Sequence, residues 1–169
     1  MVALQKIGNF LWVYVICGVL LSGFIYQLNT GEDPCALCFL ERLGMIGIAI
    51  GILMNMRFGI RPEHYGLAII ASVVGRIISL RQIALHICPQ FPTFGTPVLG
   101  FDLYVWAFIV FNCSVIAAAV LLLMYGLSRK EKIAPFWNLG AKIAFWLVVG
   151  ITATNFVMIL RICGLSACS

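Results

Sequence analysis

Charge is what this sequence lacks most. Of its 169 residues 10% are charged and 63% are hydrophobic, whereas an ordinary soluble domain is about a quarter charged and about half apolar. So few polar groups cannot cover a water-facing surface, which excludes a soluble globular enzyme, and so apolar a chain is not disordered. Histidine is scarce too. His64 and His86 are too far apart for an H-x₃₋₅-H metal pair, and C-x-x-C occurs once, so a zinc site lacks its second half and no metal is expected. No histidine follows the second cysteine, which excludes covalent haem attachment. The net charge of +5 carries no nucleic-acid signature: no basic run exceeds Arg129-Lys130 with Lys132 nearby, and nothing pairs that patch with stacking aromatics.

Long uncharged stretches are what the chain has instead. A spanning helix needs roughly 20 apolar residues, because the hydrocarbon core is about 30 Å thick and each residue rises about 1.5 Å. Residues 7–31, 103–128 and 143–160 carry no charge. No small-residue cleavage site follows the first stretch, which predicts a retained anchor rather than a removed signal peptide. Leu43–Met56 is too short to cross, so the second helix must start near Pro34 and take Glu41 and Arg42 into the membrane. The third, from about Tyr65 to Ile87, takes Arg76 and Arg81. The pattern predicts an all-α integral membrane protein. A four-helix transmembrane bundle spans about residues 7–29, 34–56, 65–87 and 103–126 within a core of 1–128. A basic loop follows over 129–142, then a fifth transmembrane helix and tail over 143–169.

Cytoplasmic loops collect Lys and Arg. Lys6, Arg57, Arg61, Arg129, Lys130, Lys132 and Lys142 fall on one side, while the opposite loops, 32–41 and 87–102, and the tail 162–169 hold neither residue. This places the N-terminus in the cytoplasm and the C-terminus outside. Depth then sorts the seven cysteines. Cys17 and Cys113 fall mid-helix, where free cysteine packs as a small apolar side chain. Cys35, Cys38, Cys88, Cys163 and Cys168 all fall on the outer face, the side on which disulfides persist.

Cys35-Ala36-Leu37-Cys38 opens the second helix, with Asp33 the expected N-cap and Pro34 the first helical residue. The partial positive charge of a helix N-terminus favours thiolate, the species that attacks disulfides. At about 100° per residue, Cys35, Cys38 and Arg42 share one stripe. Glu41 points away from it and is expected to neutralise Arg42 or another arginine. A guanidinium stays protonated, so Arg42 is a fixed cation beneath a dithiol. It can stabilise a thiolate or donate hydrogen bonds to an oxygen-bearing electron acceptor lying in the membrane. A purely structural disulfide is the competing reading.

Intramembrane charge is costly and points to function. Arg81 lies about 9 Å below the outer end of its helix by the helical rise, a depth comparable to that of Arg42. His86, at that outer end, shuttles protons or hydrogen-bonds a headgroup, or simply sits at the interface facing water and lipid. Arg76, deeper, is expected to pair with a polar group on a neighbouring helix.

Pro34-Cys35-Ala36-Leu37-Cys38-Phe39-Leu40-Glu41-Arg42 resembles the P-C-x-L-C-x-x-E-R signature of the DsbB family. Arg81-Gln82-Ile83-Ala84-Leu85 is similar to a motif of that family's third helix. Gly95-Thr96-Pro97-Val98-Leu99-Gly100 and Leu103-Tyr104-Val105-Trp106 look like the loop and fourth-helix start of its shorter members. The resemblance covers about residues 8–126. It implies a quinone-dependent thiol-disulfide oxidoreductase of the bacterial inner membrane. Such an enzyme re-oxidises a periplasmic DsbA-like thiol oxidase and passes the electrons to ubiquinone or menaquinone. The resemblance further implies Cys35 and Cys38 as catalytic residues, with Arg42, Arg81 and His86 binding the quinone.

Two features depart from the family pattern. The usual second cysteine pair is missing from loop 87–102, which holds Cys88 alone, and the fifth helix and its tail lie beyond the resemblance. Cys163 and Cys168 are candidates to replace that relay pair, with each other or one of them with Cys88. Alternatively, Cys35 and Cys38 meet the partner directly. Two other functions stay open: a quinone-linked enzyme similar to vitamin K epoxide reductase, and a non-catalytic membrane subunit or assembly factor stapled by Cys35–Cys38.

Overall fold

The computed structural model describes residues 2–31, 34–87, 97–128 and 134–164. They form five helices: α1 (Val2–Thr30), α2 (Ala36–Phe58), α3 (Pro62–Ile87), α4 (Leu103–Leu127) and α5 (Leu139–Cys163). All five are long and apolar enough to cross a membrane, so the chain is an all-α membrane protein, as its composition requires.

The helices overrun their uncharged stretches. α3 begins at Pro62, where the missing proline N–H costs nothing, and Glu63 complements the helix dipole in its first turn. α5 begins at Leu139 rather than near 143, because the Asn138 side chain accepts a hydrogen bond from the Ala141 N–H at 2.9 Å. Lys142 is therefore inside the helix. α2 starts later than its sequence suggests. Its N-cap is Cys35, not Asp33, which lies outside the described residues.

Lipid tails are as apolar as leucine, so membrane helices associate by close packing of small residues. Gly47 and Gly51 of α2 meet Ala71 and Ala68 of α3. A Cβ at Gly51 would lie 2.8 Å from the His64 carbonyl oxygen, and one at Gly75 would collide with the Phe111 ring. Phe111 of α4 thus fills a notch that only glycine leaves open. The face of α4 carrying Phe111, Ser114 and Ala118 is buried. Cys113 lies off that face and is exposed, contrary to the buried position expected for it, whereas Cys17 is buried.

At one end of the bundle a polar layer ties three helices together. Asn9 Nδ2 donates to the Tyr65 hydroxyl at 2.6 Å, Asn55 Nδ2 donates to Asn9 Oδ1 at 3.1 Å, and His64 Nδ1 meets Asn55 Oδ1 at 3.0 Å. Alone in an apolar surrounding such groups would each cost several kcal/mol; joined, they fix the register of α1, α2 and α3. Cations gather at the same end, Lys6 over the Phe136 ring at 5.6 Å and Arg57 over the Trp137 ring at 5.4 Å. α5 starts here, held by the Phe136 N–H on the Met56 carbonyl at 3.1 Å and by the Tyr14 hydroxyl on the Gly140 carbonyl at 2.9 Å. The C-x-x-C lies at the opposite end.

Candidate active site

Cys35 closes the N-terminus of α2 with its own side chain. Its Sγ accepts the backbone N–H of Cys38 at 3.1 Å, the role an N-cap oxygen usually plays. Gln82 of α3 reaches across, its Nε2 lying 3.5 Å from Cys35 Sγ and 3.7 Å from Cys38 Sγ. Both cysteines are free thiols. Cys35 stands just outside the spanning segment, and its thiol is pushed down to about 6. The Cys38 thiol donating to it is the largest cause, and burial opposes the shift. The backbone N–H groups of Cys38 and Leu37 and the Gln82 amide add to the lowering.

Below the dithiol a cavity of about 360 Å³ opens between α1, α2, α4 and the end of α3. Its walls are mostly apolar, from residues such as Leu20, Met45, Ala107 and Val110, with Cys38, Glu41, Arg42, Gln27 and Gln82 supplying the polar groups. Size and lining are those of a small-molecule site. Cys38 lines it; Cys35 does not.

Arg42 lies on the cavity wall as its stripe predicts, and α1 holds it there. Its Nη1 donates to Gln27 Oε1 at 3.0 Å, its Nη2 donates to the Gly23 carbonyl at 3.4 Å, and the guanidinium packs over the Phe24 ring at 4.4 Å. Glu41 does not neutralise it. Adjacent helical residues diverge by about 100°, and among the described residues Glu41 forms no ion pair and its Oε1 has no hydrogen-bond partner.

The outer wall is a turn, Val98–Phe101, closed by reciprocal backbone hydrogen bonds of 2.9 and 3.1 Å. Trp106 Nε1 holds it by donating to the Val98 carbonyl at 2.9 Å. Leu99 sits at φ 53 and Gly100 at φ 84. The left-handed region costs leucine on the order of 1–2 kcal/mol, and this leucine is part of the cavity lining.

Not every expected residue comes to this cavity. Arg81 is exposed and outside the lining; Gln82, one position on, takes the inward place and is 1% exposed. His86 is also outside the lining but stacks on Tyr104, which is part of it, at 4.9 Å. His86 Nδ1 donates to the Gln82 carbonyl at 2.8 Å, which leaves Nε2 as the acceptor of the neutral ring. Arg76 is half-buried, and among the described residues no hydrogen bond or ion pair joins it to a neighbouring helix. Cys88 and Cys168 lie outside the described residues, and Cys163 is the last residue of α5.

Gln82 was within reach of the sequence. It continues a stripe of small or polar residues, Ser72, Gly75 and Ser79, all buried at helical spacing on α3. Gln27 carried no comparable signal, and the loop motif holding Leu99 gave no sign that it would wall the cavity.

The family described as "Disulfide bond formation protein DsbB" matches residues 5–161, so the match runs beyond the four-helix stretch and through nearly all of α5. "Disulfide bond formation protein B" of Xanthomonas axonopodis pv. citri is 34% identical over 89 residues, 49% of this chain and 52% of that protein. The protein of the same name from Haemophilus influenzae (strain 86-028NP) is 33% identical over 72 residues, 40% of this chain and 41% of that one. A third, from Xanthomonas campestris pv. campestris (strain 8004), is 36% identical over 89 residues, with 49% and 52% covered. The chain thus spans about half the length, or less, of the curated relatives it matches. No solved structure matches it.

Proposed function

We propose, from the premise that this chain belongs to the DsbB family of disulfide bond formation proteins, that it is a thiol-disulfide oxidoreductase of the bacterial inner membrane. It takes electrons from a reduced DsbA-like thiol protein and delivers them to a membrane quinone. One observation carries this reading: the two sulfurs of a single C-x-x-C face different surroundings. Cys35 caps the helix at the edge of the span, and Cys38 lines the cavity.

The cavity fits a quinone. Arg42 and Gln82 offer N–H donors for a ring carbonyl, and the apolar remainder suits the ring and its isoprenoid tail. When bound, a quinone supplies a two-electron, two-proton acceptor; ubiquinone and menaquinone both meet that description. The partner's thiolate attacks Cys35 Sγ of the oxidised pair, and Cys38 leaves toward the cavity, where the Arg42 guanidinium balances its charge. The partner's second thiol then resolves the mixed disulfide. A Cys35 thiol held near 6 makes the departing sulfur a good leaving group, which favours oxidation of the partner. His86, with Nε2 as acceptor, sits where a proton can pass toward water. The quinone contact expected of Arg81 falls to Gln82.

The end bearing Lys6, Arg57, Arg61 and Lys142 is the cytoplasmic one in this reading, and the dithiol faces the periplasm. α5 returns the chain to the dithiol's end and closes on Cys163. In this reading Cys163 and Cys168 serve as the relay pair, between themselves or one with Cys88; Cys88 and Cys168 lie outside the described residues.

The test is reconstitution in liposomes containing ubiquinone or menaquinone, supplied with a reduced DsbA-like protein. Oxidation of that protein coupled to quinone reduction, lost in Cys35→Ser and in Cys38→Ser, is the expected result. An inserted, folded protein inert toward both quinones would make Cys35–Cys38 a structural staple.

A further inference from the structure

Glu41 is a carboxyl group that the mechanism above leaves unused. It is 6% exposed, lies three residues after Cys38 on α2, and lines the same cavity. Among the described residues its Oε1 has no hydrogen-bond partner, and neither does Gln82 Oε1, buried on the helix packed against it; the Ser79 hydroxyl of that helix faces the carboxyl. Arg42 is the one cation among the described residues lining the cavity, and its guanidinium is engaged with Gln27, Gly23 and Phe24 of α1. The other titratable groups nearby are Cys35 and Cys38 on the same helix and Tyr104 on α4. An isolated carboxylate in an apolar surrounding is expensive enough that the group takes up a proton instead.

We propose that Glu41 is held protonated and relays the proton of the Cys38 thiol into the cavity. The inference rests on the quinone-linked reading. Oxidising the thiolate–thiol pair forms one S–S bond and releases two electrons and one proton. The oxidant, a quinone, takes both electrons and two protons to become the quinol. With Cys35 already a thiolate at neutral pH, one of the two protons the quinone needs comes from bulk water at the outer end. The other is on Cys38, whose sulfur faces an apolar cavity. A carboxylic acid has two oxygens, so Glu41 gives its proton into the cavity from one while it accepts the Cys38 proton at the other. It ends each cycle protonated, as it began.

The test pairs a spectroscopic readout with a kinetic one on the full-length protein in liposomes. Infrared spectra of the oxidised protein, without quinone, should show the carbonyl stretch of a protonated carboxylic acid at neutral pH. That band should vanish in Glu41→Gln and return, shifted, in Glu41→Asp. Glu41→Gln should slow single-turnover quinone reduction about 100-fold, the usual weight of a positioned proton donor. Exchange between Cys35 and the partner thiol should be unchanged, and Glu41→Asp should recover part of the rate.

Should the Glu41→Gln protein fail to insert, the wild-type band and its loss at high pH decide the protonation state without it. A carboxylate with no acid band in the wild-type protein, or a wild-type quinone rate in Glu41→Gln, overturns the relay and leaves the quinone-linked reading intact. Failure of the wild-type protein to reduce quinone overturns both.

Discussion

Cys35 Sγ accepts the backbone N–H of Cys38 at 3.1 Å, so the first cysteine of the pair caps the helix that carries the second. The cap and the sulfur proposed to exchange with the partner are one atom. A thiolate at this position gains the helix dipole and the first free N–H groups of α2 together, and it loses them on forming a disulfide.

The reactivity of Cys35 should therefore titrate low. In the reduced protein its alkylation rate is expected to be flat above neutrality and to fall as pH drops through about 6, because the lowered value keeps the thiolate populated down to that point. Cys38→Ala should move the midpoint upward, since the Cys38 thiol is the largest cause of the lowering. The check is the pH profile of alkylation followed by mass spectrometry. A midpoint at the ordinary thiol value would remove the helix-cap effect from the mechanism.

Arg42 links α1 to the cavity through Gln27 and Gly23. Arg42→Ala should raise the quinone KM about tenfold or more, the weight of one charge-assisted hydrogen bond, while thiol exchange at Cys35 continues. Gln27→Ala should have a smaller effect in the same direction, because it loosens the guanidinium without removing it. Steady-state assays that vary quinone and partner separately give both constants. Equal loss with both substrates would point to misfolding instead.

Gly75 is packed against the Phe111 ring with no room for a Cβ. Gly75→Ala forces the ring aside and should destabilise the bundle by about 1–3 kcal/mol, the typical cost of overpacking. Gly66, where an added Cβ meets nothing within 4 Å, is the control. Thermal unfolding of the two variants in detergent should separate them, with Gly66→Ala close to wild type.

The tail can be tested by subtraction. Cys163→Ser with Cys168→Ser should abolish partner oxidation but leave direct quinone reduction by the dithiol, if these residues form the relay. Normal partner oxidation by the double variant would show that Cys35 and Cys38 meet the partner directly.

The sequence made the membrane class and the helix count legible because both depend on amounts of apolar residue. The stripe holding Cys38 and Arg42 was legible because helical spacing is local. Residue depth was legible too, but not direction. Arg81 and Gln82 are equally deep, yet only Gln82 turns toward the dithiol, because the small residues at 72, 75 and 79 decide which face of α3 packs on α2. Cys113 failed for the same reason: its depth is that of a core residue, but the face of α4 that packs carries Phe111 and Ser114. Glu41 looked like a partner for Arg42 because opposite charges stood side by side in the chain. Only the fold reveals that α1 supplies the guanidinium with other acceptors. The start of α2 moved from Asp33-Pro34 to Cys35 because propensity ranks the usual capping residues and does not weigh a sulfur that can cap and react.

The division of labour between Cys35 and Cys38 is tested most directly by anaerobic single turnover. Purified, reduced protein is mixed with one quinone, and quinone absorbance and free thiols are followed together. The expected result is two thiols lost for each quinone reduced. Cys38→Ser should lose the reaction entirely while Cys35 still exchanges with a partner thiol. Quinone reduction that persists in Cys38→Ser, or that consumes no thiols in the wild-type protein, would contradict it.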